Sequence, residues 1–195
     1  ENPGTVERPM FEGTADILRM MSWLSLENHY ERTDGGVNIY YNAGRHEIND
    51  GYAAGGKPQP FLFHSTDYQG GLNVFQAFQP WTGGTLTGGV DVKLYGGNAY
   101  RNPETEIYAD QKKLHEEAAY LLAQQLLGPV TLDAGVRLEH HSLYGTEWVP
   151  QAGISWLPWD NTAVTSSASK GFRTPNLREL YMDAVANKNL EPERA

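Results

Sequence analysis

The chain has 195 residues, a formal net charge of −9 at neutral pH, 21 glycines and no cysteine. Nucleic-acid-binding surfaces need clustered lysine and arginine, so this acidic balance argues against a nucleic-acid partner. The absence of cysteine excludes disulfides and thiolate metal sites. The sequence also has no run of about 18 apolar residues, the length that a transmembrane helix needs.

Alternating apolar and polar residues recur along the chain and predict an all-β fold. The pattern is clearest over 130–141, where every second residue from Val130 to Leu138 is apolar. This is the period of a β-strand with one wholly apolar face. We predict an antiparallel meander of about eight strands, at residues 17–30, 36–49, 68–78, 85–95, 112–127, 130–142, 147–157 and 162–171.

The links between these strands fall into two length classes. Short turns are predicted at 31–35, 79–84, 128–129 and 158–161, and longer or irregular links at 50–67, 96–111, 143–146 (short for this set) and from 173 onward. Short turns at one end and longer loops at the other are typical of transmembrane β-barrels. A soluble antiparallel β-sandwich has less reason to segregate its loops in this way, and it is the alternative fold.

The segment 103–127 is ambiguous between helix and strand. It is rich in helix formers and ends in Gly128-Pro129, as helices often do. Its composition alone favours a helix slightly, but the hairpin rhythm on both sides requires a strand. We therefore predict a strand at 112–127.

The polar residues show no catalytic or metal-binding pattern. His140 and His141 are adjacent on a predicted strand, so they point to opposite faces and cannot share a metal ion. The other histidines lack ligand spacing, and no nucleophile-elbow, zinc-protease or phosphate-loop motif occurs. The sequence predicts no enzyme, no metal site and no cofactor.

Two clusters near the end of the chain carry the most information. Residues 169–181 read Ser-Lys-Gly-Phe-Arg-Thr-Pro-Asn-Leu-Arg-Glu-Leu-Tyr, and 187–193 read Asn-Lys-Asn-Leu-Glu-Pro-Glu. Gly171 and Pro175 should end the preceding strand. Pro175 also suits the first turn of a helix over 176–181, with Thr174 as a candidate cap.

These clusters resemble the signature of TonB-dependent outer-membrane receptors. The matching residues are Ser169, Gly171, Phe172, Arg173, Pro175, Leu177, Glu179, Leu180, Tyr181, Leu190, Pro192 and Glu193. The chain departs from the pattern at Lys188, where proline is frequent, and at Glu191, where lysine is frequent. Both departures lie on a predicted loop.

The resemblance implies a receptor in the bacterial outer membrane, with a barrel of about 22 strands filled by an N-terminal plug. Such receptors import a siderophore, cobalamin, a metal or a glycan with energy from the TonB system. Residues 1–195 would then be part of the barrel domain, an incomplete barrel whose plug, signal peptide and C-terminal strands lie outside the chain. Unpaired sheet edges would favour self-association of such a piece.

The resemblance also implies an orientation. The loop after the 169–175 cluster would be extracellular, which places the four short turns in the periplasm. Trp81 and Trp159 would then lie in periplasmic turns and Trp148 near the outer rim, as an aromatic girdle requires. The long links 50–67 and 96–111 would be the exposed candidates for ligand contact, although no ligand motif identifies the substrate.

The polar face of the 130–141 strand would point into the barrel lumen. Asp133, Arg137 and Glu139 are the predicted lumen-facing residues, and His141 shares their face. We expect them to contact the plug or to pair across strands.

The alternative function follows from the alternative fold. A soluble sandwich could bind a glycan or a protein partner through Trp81, Trp148 and Trp159. The apolar faces distinguish the two, because they meet in a core in a sandwich but surround the outside of a membrane barrel.

Overall fold

The structure is a computed structural model that describes residues 10–49, 51–57, 62–102, 106–182 and 186–195. Its strands are β1 (Met10–Phe11), β2 (Thr14–Tyr30), β3 (Thr33–Asn49), β4 (Tyr52–Ala53), β5 (Leu62–Phe78), β6 (Gly84–Asn102), β7 (Glu106–Leu127), β8 (Val130–His141), β9 (Gly145–Trp159), β10 (Thr162–Ser169), β11 (Phe172–Arg173) and β12 (Glu193–Arg194). One short helix, α1 (Leu177–Tyr181), lies between β11 and β12.

The eight long strands form one antiparallel sheet in the order β10-β9-β8-β7-β6-β5-β3-β2. Each long strand pairs with its neighbour along the chain, so the sheet is a simple meander that does not close on itself within the described residues. β1 pairs with β4, and β11 with β12, as two small separate sheets. The predicted all-β meander of eight strands is confirmed.

The ambiguous segment is a strand, as predicted. β7 pairs with β6 from Arg101↔Glu106 to Gly84↔Gln125, and it pairs with β8 from Glu116↔His141 to Leu127↔Val130. Its helix formers therefore hydrogen-bond on both sides to neighbouring strands. Two ladders outweigh an intrinsic helix preference that amounts to a few tenths of a kcal/mol for each residue.

The long link predicted at 96–111 is wrong. β6 continues to Asn102 and β7 begins at Glu106, with the two strands paired again at Tyr100↔Ile107 beyond an irregularity near residues 97–99. The backbone N–H of Gln111, a residue with φ of 38°, donates to Asn98 Oδ1 at 2.6 Å. The predicted link began at Gly96, which lies in β6 just before the irregular stretch of the hairpin. The link predicted at 50–67 is also shorter, since β5 begins at Leu62.

The structure confirms a helical turn after the last long strand but corrects its cap. β10 ends at Ser169, and Asn176 rather than Thr174 is the N-cap of α1. The Glu179 N–H donates to Asn176 Oδ1 at 3.0 Å, and the Asn176 N–H donates to Glu179 Oε2 at 2.9 Å. This reciprocal arrangement is a capping box. Among the described residues, no helix has the length and hydropathy to cross a membrane.

Candidate functional site

The two faces of the eight-stranded sheet differ in chemistry. The apolar face carries the alternating residues from Val130 to Leu138 of β8 and their register partners. The polar face carries Asp133, Arg137, Glu139 and their partners. The end of the sheet where β10 ends and β7 begins is called the motif end, and the opposite end the turn end.

Burial on these faces is the reverse of that in a soluble sheet. Leu121 and Leu138 on the apolar face are each 54% exposed. The carboxylate side chains of Glu116 and Glu139 on the polar face are only 15% and 19% exposed. No second sheet packs on the apolar face in the described part of the chain. The sandwich alternative is therefore wrong, because its apolar face would be covered.

The apolar face ends along a slanted line at the motif end. Register pairing makes His140 level with Leu24 of β2, through Glu117, Val92, Leu72 and Ile39. The first ionisable residue on this face toward the motif end is His140 on β8 but Asp16 on β2, eight positions past Leu24. On β2 the only polar side chain between Leu24 and Asp16 on this face is Ser22, whose hydroxyl donates to the Tyr41 carbonyl. At about 3.3 Å per residue and about 4.8 Å per strand, the line climbs about 26 Å over about 24 Å. That slope matches the tilt of about 45° at which strands cross a bilayer.

Across the middle of the polar face runs a continuous hydrogen-bonded row. Ser25 Oγ donates to Asn38 Oδ1 at 2.5 Å. Asn38 Nδ2 donates to Asn73 Oδ1 at 3.2 Å, and Asn73 Nδ2 donates to Asp91 Oδ1 at 2.5 Å. The row therefore links side chains on β2, β3, β5 and β6 and ends on a carboxylate.

Arg137 extends this row across β7. Its guanidinium pairs with Asp91 on β6, and its Nε donates to Glu139 Oε2 at 2.9 Å. On β7, Ala118 lies between the two carboxylates and pairs in register with both Asp91 and Glu139. Because Ala118 has no side chain beyond Cβ, it leaves room for the arginine to reach the second strand away.

A second polar cluster lies nearer the motif end. Lys93 Nζ donates to Glu116 at 2.9 Å, and Tyr95 Oη donates to Glu116 at 2.8 Å. His141 is 1% exposed; its Nδ1 accepts from the Leu143 N–H at 3.0 Å, and its Nε2 lies 2.9 Å from Tyr95 Oη. Since Nδ1 is an acceptor, the proton is on Nε2, which donates to the tyrosine oxygen.

The three predicted lumen-facing residues share the polar face, but only two of them meet. Arg137 and Glu139 are in contact, whereas Asp133 lies further toward the turn end over Gly153. That they face a lumen stays a prediction. Sequence reasoning missed their partner Asp91 and the Lys93, Glu116 and Tyr95 cluster. The alternation of polar and apolar residues on β6 and β7 indicated which side chains share a face. Only the register between the strands shows which of them are neighbours.

The predicted histidine and tryptophan positions agree with the structure. His141 is buried on the polar face, and His140 is exposed beside Thr146 on the other face. In the described residues, no group of three histidine or acidic side chains could hold a metal ion. Trp81 and Trp159 lie at the turn end and Trp148 toward the motif end, each more than half exposed. Their membership of a girdle stays a prediction.

The two clusters of the family-like signature are neighbours in space. Phe172 pairs with Arg194 and Arg173 with Glu193 in the small β11–β12 sheet. Gly171 and Ala195 extend it, with N–H···O distances of 2.8 and 3.2 Å. The segment between them, 174–192, is therefore a loop whose two ends are hydrogen-bonded together.

Ion pairs hold this loop closed and tie it to the large sheet. Arg173 pairs with Glu179 of α1 and, at 3.1 Å, with Glu193 of β12. Glu147 of β9 pairs with Lys170 and, at 2.6 Å, with Arg194. We call these four pairs the clamp. The Asn176 N–H and then the Arg173 guanidinium lower the pKa of Glu179, while Glu179 is the main cause of the raised pKa of Arg173.

α1 lies at the motif end, beside the polar face of β7. Leu180 is 1% exposed. The Nζ of Lys112, which shares the polar face with Glu116, lies 4.8 Å from the centre of the Tyr181 ring. Lys188 Nζ lies 5.8 Å from the same ring centre.

Comparisons with known proteins agree with this geometry. The family model described as "TonB dependent receptor-like, beta-barrel" matches residues 13–195. The vitamin B12 transporter BtuB of Vibrio vulnificus (strain YJ016) is 30% identical over 149 residues, which cover 74% of this chain and 23% of that protein. The chain thus spans about a quarter of that relative's length.

Solved structures share the fold. The siderophore receptor PirA from Pseudomonas aeruginosa superposes with a TM-score of 0.71 at 16% identity, over 96% of this chain and 36% of that one. The copper transporter OprC gives 0.70 at 16% identity, over 90% and 34%. These three proteins are named as transporters or receptors. Through its sequence match over residues 13–195, this chain belongs to the β-barrel family of TonB-dependent receptors.

Proposed function

We propose that this chain forms part of the barrel wall of an outer-membrane receptor that imports a scarce nutrient with TonB-derived energy. The apolar face would contact lipid and the polar face would line the lumen. The observation that carries the proposal is the reversed burial of the two faces, whose apolar stretch has a slanted border at the angle of bilayer-spanning strands.

The rest of the receptor completes this proposal. Residues 1–195 would belong to its barrel domain, and a plug elsewhere in the receptor would couple to TonB. The turn end would face the periplasm, and the motif end, with α1 and the clamp, the cell exterior. The match to the receptor family supports this orientation.

The substrate class follows from the relatives only in broad terms. Their names include a vitamin B12 transporter, a siderophore receptor and a copper transporter. We propose that the nutrient is a siderophore, cobalamin, a metal or a glycan. Asp133, Arg137 and Glu139 would face the lumen, where the Asp91–Arg137–Glu139 group would support the wall or contact the plug.

Spin labels on single cysteines test which face meets lipid. The 195 residues contain no cysteine, so labels can be placed in the complete receptor at Val136 and Leu138 on the apolar face and at Thr131 and Ser167 on the polar face. We expect oxygen to reach the first pair best and a water-soluble nickel chelate to reach the second pair best. Equal accessibility on both faces would reject the proposed placement.

Uptake measurements test the transport proposal. A strain that lacks the receptor would be complemented with the complete gene, with and without a working TonB system, and supplied with labelled cobalamin, ferric siderophores, copper or oligosaccharides. We expect TonB-dependent uptake of one of these classes. Unchanged uptake and unchanged plug retention in the Arg137→Ala and Glu139→Ala variants would reject a role for these two residues.

A further inference from the structure

We propose that His141 is a pH-sensitive latch, which holds the turn between β8 and β9 (residues 142–144) closed at neutral pH and releases it in mild acid. The inference goes beyond the proposed function, because it concerns a conformational change and not the nutrient. It starts from the observation that His141 is 1% exposed and that both nitrogens of its ring take part in hydrogen bonds.

One of these hydrogen bonds can form only while the imidazole is neutral. The Leu143 N–H donates to His141 Nδ1 at 3.0 Å. A second proton on the ring would have to bind to this same Nδ1, because Nε2 already carries the hydrogen that it donates to Tyr95 Oη. Two N–H groups would then face each other. Protonation of His141 therefore breaks the side-chain hydrogen bond that holds the turn.

The carboxylates near His141 are already paired with cations. Glu116 Oε1 lies 3.6 Å from His141 Nε2, but Glu116 also accepts from Lys93 Nζ at 2.9 Å. Glu139 accepts from Arg137 Nε at 2.9 Å. The titratable or charged groups that face the latch or the turn are Lys93 and Tyr95 on β6, His115 and Glu116 on β7, Glu139 on β8, Tyr144 in the turn, and Glu179 and Tyr181 on α1.

Tyr144 links the latch to the rest of the turn. The centre of its ring lies 4.8 Å from the centre of the His141 ring, and the Tyr144 N–H donates to the His141 carbonyl at 3.2 Å. Burial, and then the nearby Tyr181 and Glu179 of α1, raise the pKa of the Tyr144 hydroxyl. The closed turn therefore places the Tyr144 side chain near both the latch and the helix.

Tyr144 also makes the closed turn easy to open. Its hydroxyl is buried and has no hydrogen-bond partner in the part of the chain that the structure describes. A buried hydroxyl without a partner is destabilising, and an opened turn would expose it to water. The closed state thus carries a cost that the opened state does not, so the loss of one hydrogen bond at His141 can shift the balance between them.

The direction of the pH dependence follows from proton binding. In the opened turn the imidazole faces solvent and takes up a proton near the usual histidine pKa of about 6.5, whereas in the closed turn Nδ1 is occupied. The opened form therefore binds more protons, and its share rises as the pH falls below about 6.5. At about pH 5.5 it gains up to about tenfold over the closed form.

Hydrogen exchange in the complete receptor tests the latch. Amide exchange would be measured by mass spectrometry in outer-membrane vesicles from about pH 8 to about pH 5 and corrected for the intrinsic rate. We expect the peptide that contains Leu143 and Tyr144 to lose protection by up to about tenfold between about pH 7.5 and 5.5. The α1 peptide (177–182) is the internal control and should keep its protection in this range, because the capping box and the clamp hold the helix.

Variants identify the residue that titrates. In His141→Asn the side-chain oxygen can still accept from the Leu143 N–H, two residues further on, but it cannot titrate. Protection of the turn should then be independent of pH in this range. His115→Asn and His140→Asn are the matched controls, because these two rings lie 6.4 Å apart on the other face of the sheet. The acid-induced loss should persist in both controls.

Several outcomes would overturn the latch. They are a wild-type turn whose protection does not change, a loss that persists in His141→Asn or disappears in either control, and a parallel loss in the α1 peptide. If His141→Asn does not assemble, the two controls still decide, since the remaining histidines, His29, His46 and His64, lie on β2, β3 and β5.

Discussion

Arg137 reaches Asp91 only because Ala118 lies between them. The arginine crosses β7 and joins carboxylates on β6 and β8, and both its partners are half-buried on the polar face. Removing the guanidinium would leave two carboxylates near each other without a cation. Charges that lose a partner in a low-dielectric setting destabilise a fold more than the pair itself stabilised it.

We therefore expect Arg137→Ala to lower the free energy of unfolding of the receptor by about 1–3 kcal/mol. Thr131→Ala, on the same strand and face but without a charge to pair, is the control and should change it little. Urea unfolding in lipid vesicles measures both. An Arg137→Ala receptor as stable as the control would show that the group contributes nothing to the wall.

Replacing Ala118 is a second test of the Asp91–Arg137 pair. Ala118→Leu would fill the space through which the guanidinium passes, so the Asp91–Arg137 pair should break while both charges remain. We expect a loss of about 1–3 kcal/mol, as for other overpacked sites. Ala134→Leu, on the exposed apolar face of β8, should be tolerated, and equal stability of the two variants would contradict the structure.

At the scale of elements, the β6–β7 hairpin depends on close backbone approach at its motif end. A Cβ at Gly96 would lie 1.9 Å from the Lys112 carbonyl oxygen, whereas at Gly88 the nearest atom would be 3.8 Å away. Both glycines lie in β6 and have register partners on β7. The two positions therefore differ in the space available for a Cβ, and not in the strand or in its pairing.

Gly96→Ala should separate the strands near Lys112 and cost about 1–3 kcal/mol, while Gly88→Ala should be close to neutral. Amide hydrogen exchange along β6 and β7 would show this directly. Faster exchange confined to residues near 96 and 112 is the expected result. Identical exchange in the two variants would mean that the backbone approach is not as close as the structure shows.

The clamp makes α1 sensitive to acid. The pKa of Glu179 is lowered in the folded state, so its ionised form stabilises α1 above the unfolded value of 4.5. As the pH falls from there through the lowered pKa, that stabilisation is lost. We expect the protection of the Leu180 amide, corrected for the intrinsic exchange rate, to fall in this range.

Glu179→Gln is the matched control for that titration. Its side chain can still accept the Asn176 N–H but cannot titrate. Protection in this variant should be lower at neutral pH and nearly independent of pH below it. A wild-type amide whose protection does not change in acid would show that the carboxylate does not hold the helix.

At the scale of the whole molecule, the sheet has two edges. β2 and β10 each pair with only one long strand within the described residues. Unpaired N–H and C=O groups on an edge are a template for another strand, and bare edges are especially costly in lipid. The apolar face adds a large surface that water does not solvate well.

Refolded by itself into detergent micelles, the 195-residue chain should therefore self-associate. Sedimentation in density-matched detergent measures the mass of the protein component. A Ser22→Lys and Ser166→Lys variant, with a lysine on each edge strand, should associate less, because charged edges discourage strand addition. A strictly monomeric wild-type chain would contradict the expectation.

The number of strands, their antiparallel pairing and the family could be predicted from the sequence, because each depends on residues that are close together in the chain. Alternation is written into 130–141, and the turn residues mark the hairpins. Locality also explains the errors. The sequence predicts a link at 96–111 and a cap at Thr174, because the backbone approach at Lys112 and the capping box of Asn176 depend on neighbours that a short window of sequence does not include.

The sequence by itself determined an antiparallel all-β meander with one apolar face and a receptor-like signature, since these depend on residue type and spacing. Only the tertiary structure decided which polar residues meet. Asp91 and Arg137 lie 46 positions apart, as do Tyr95 and His141. Such contacts depend on the register of several strands at once, and a shift of one residue would turn every side chain to the other face.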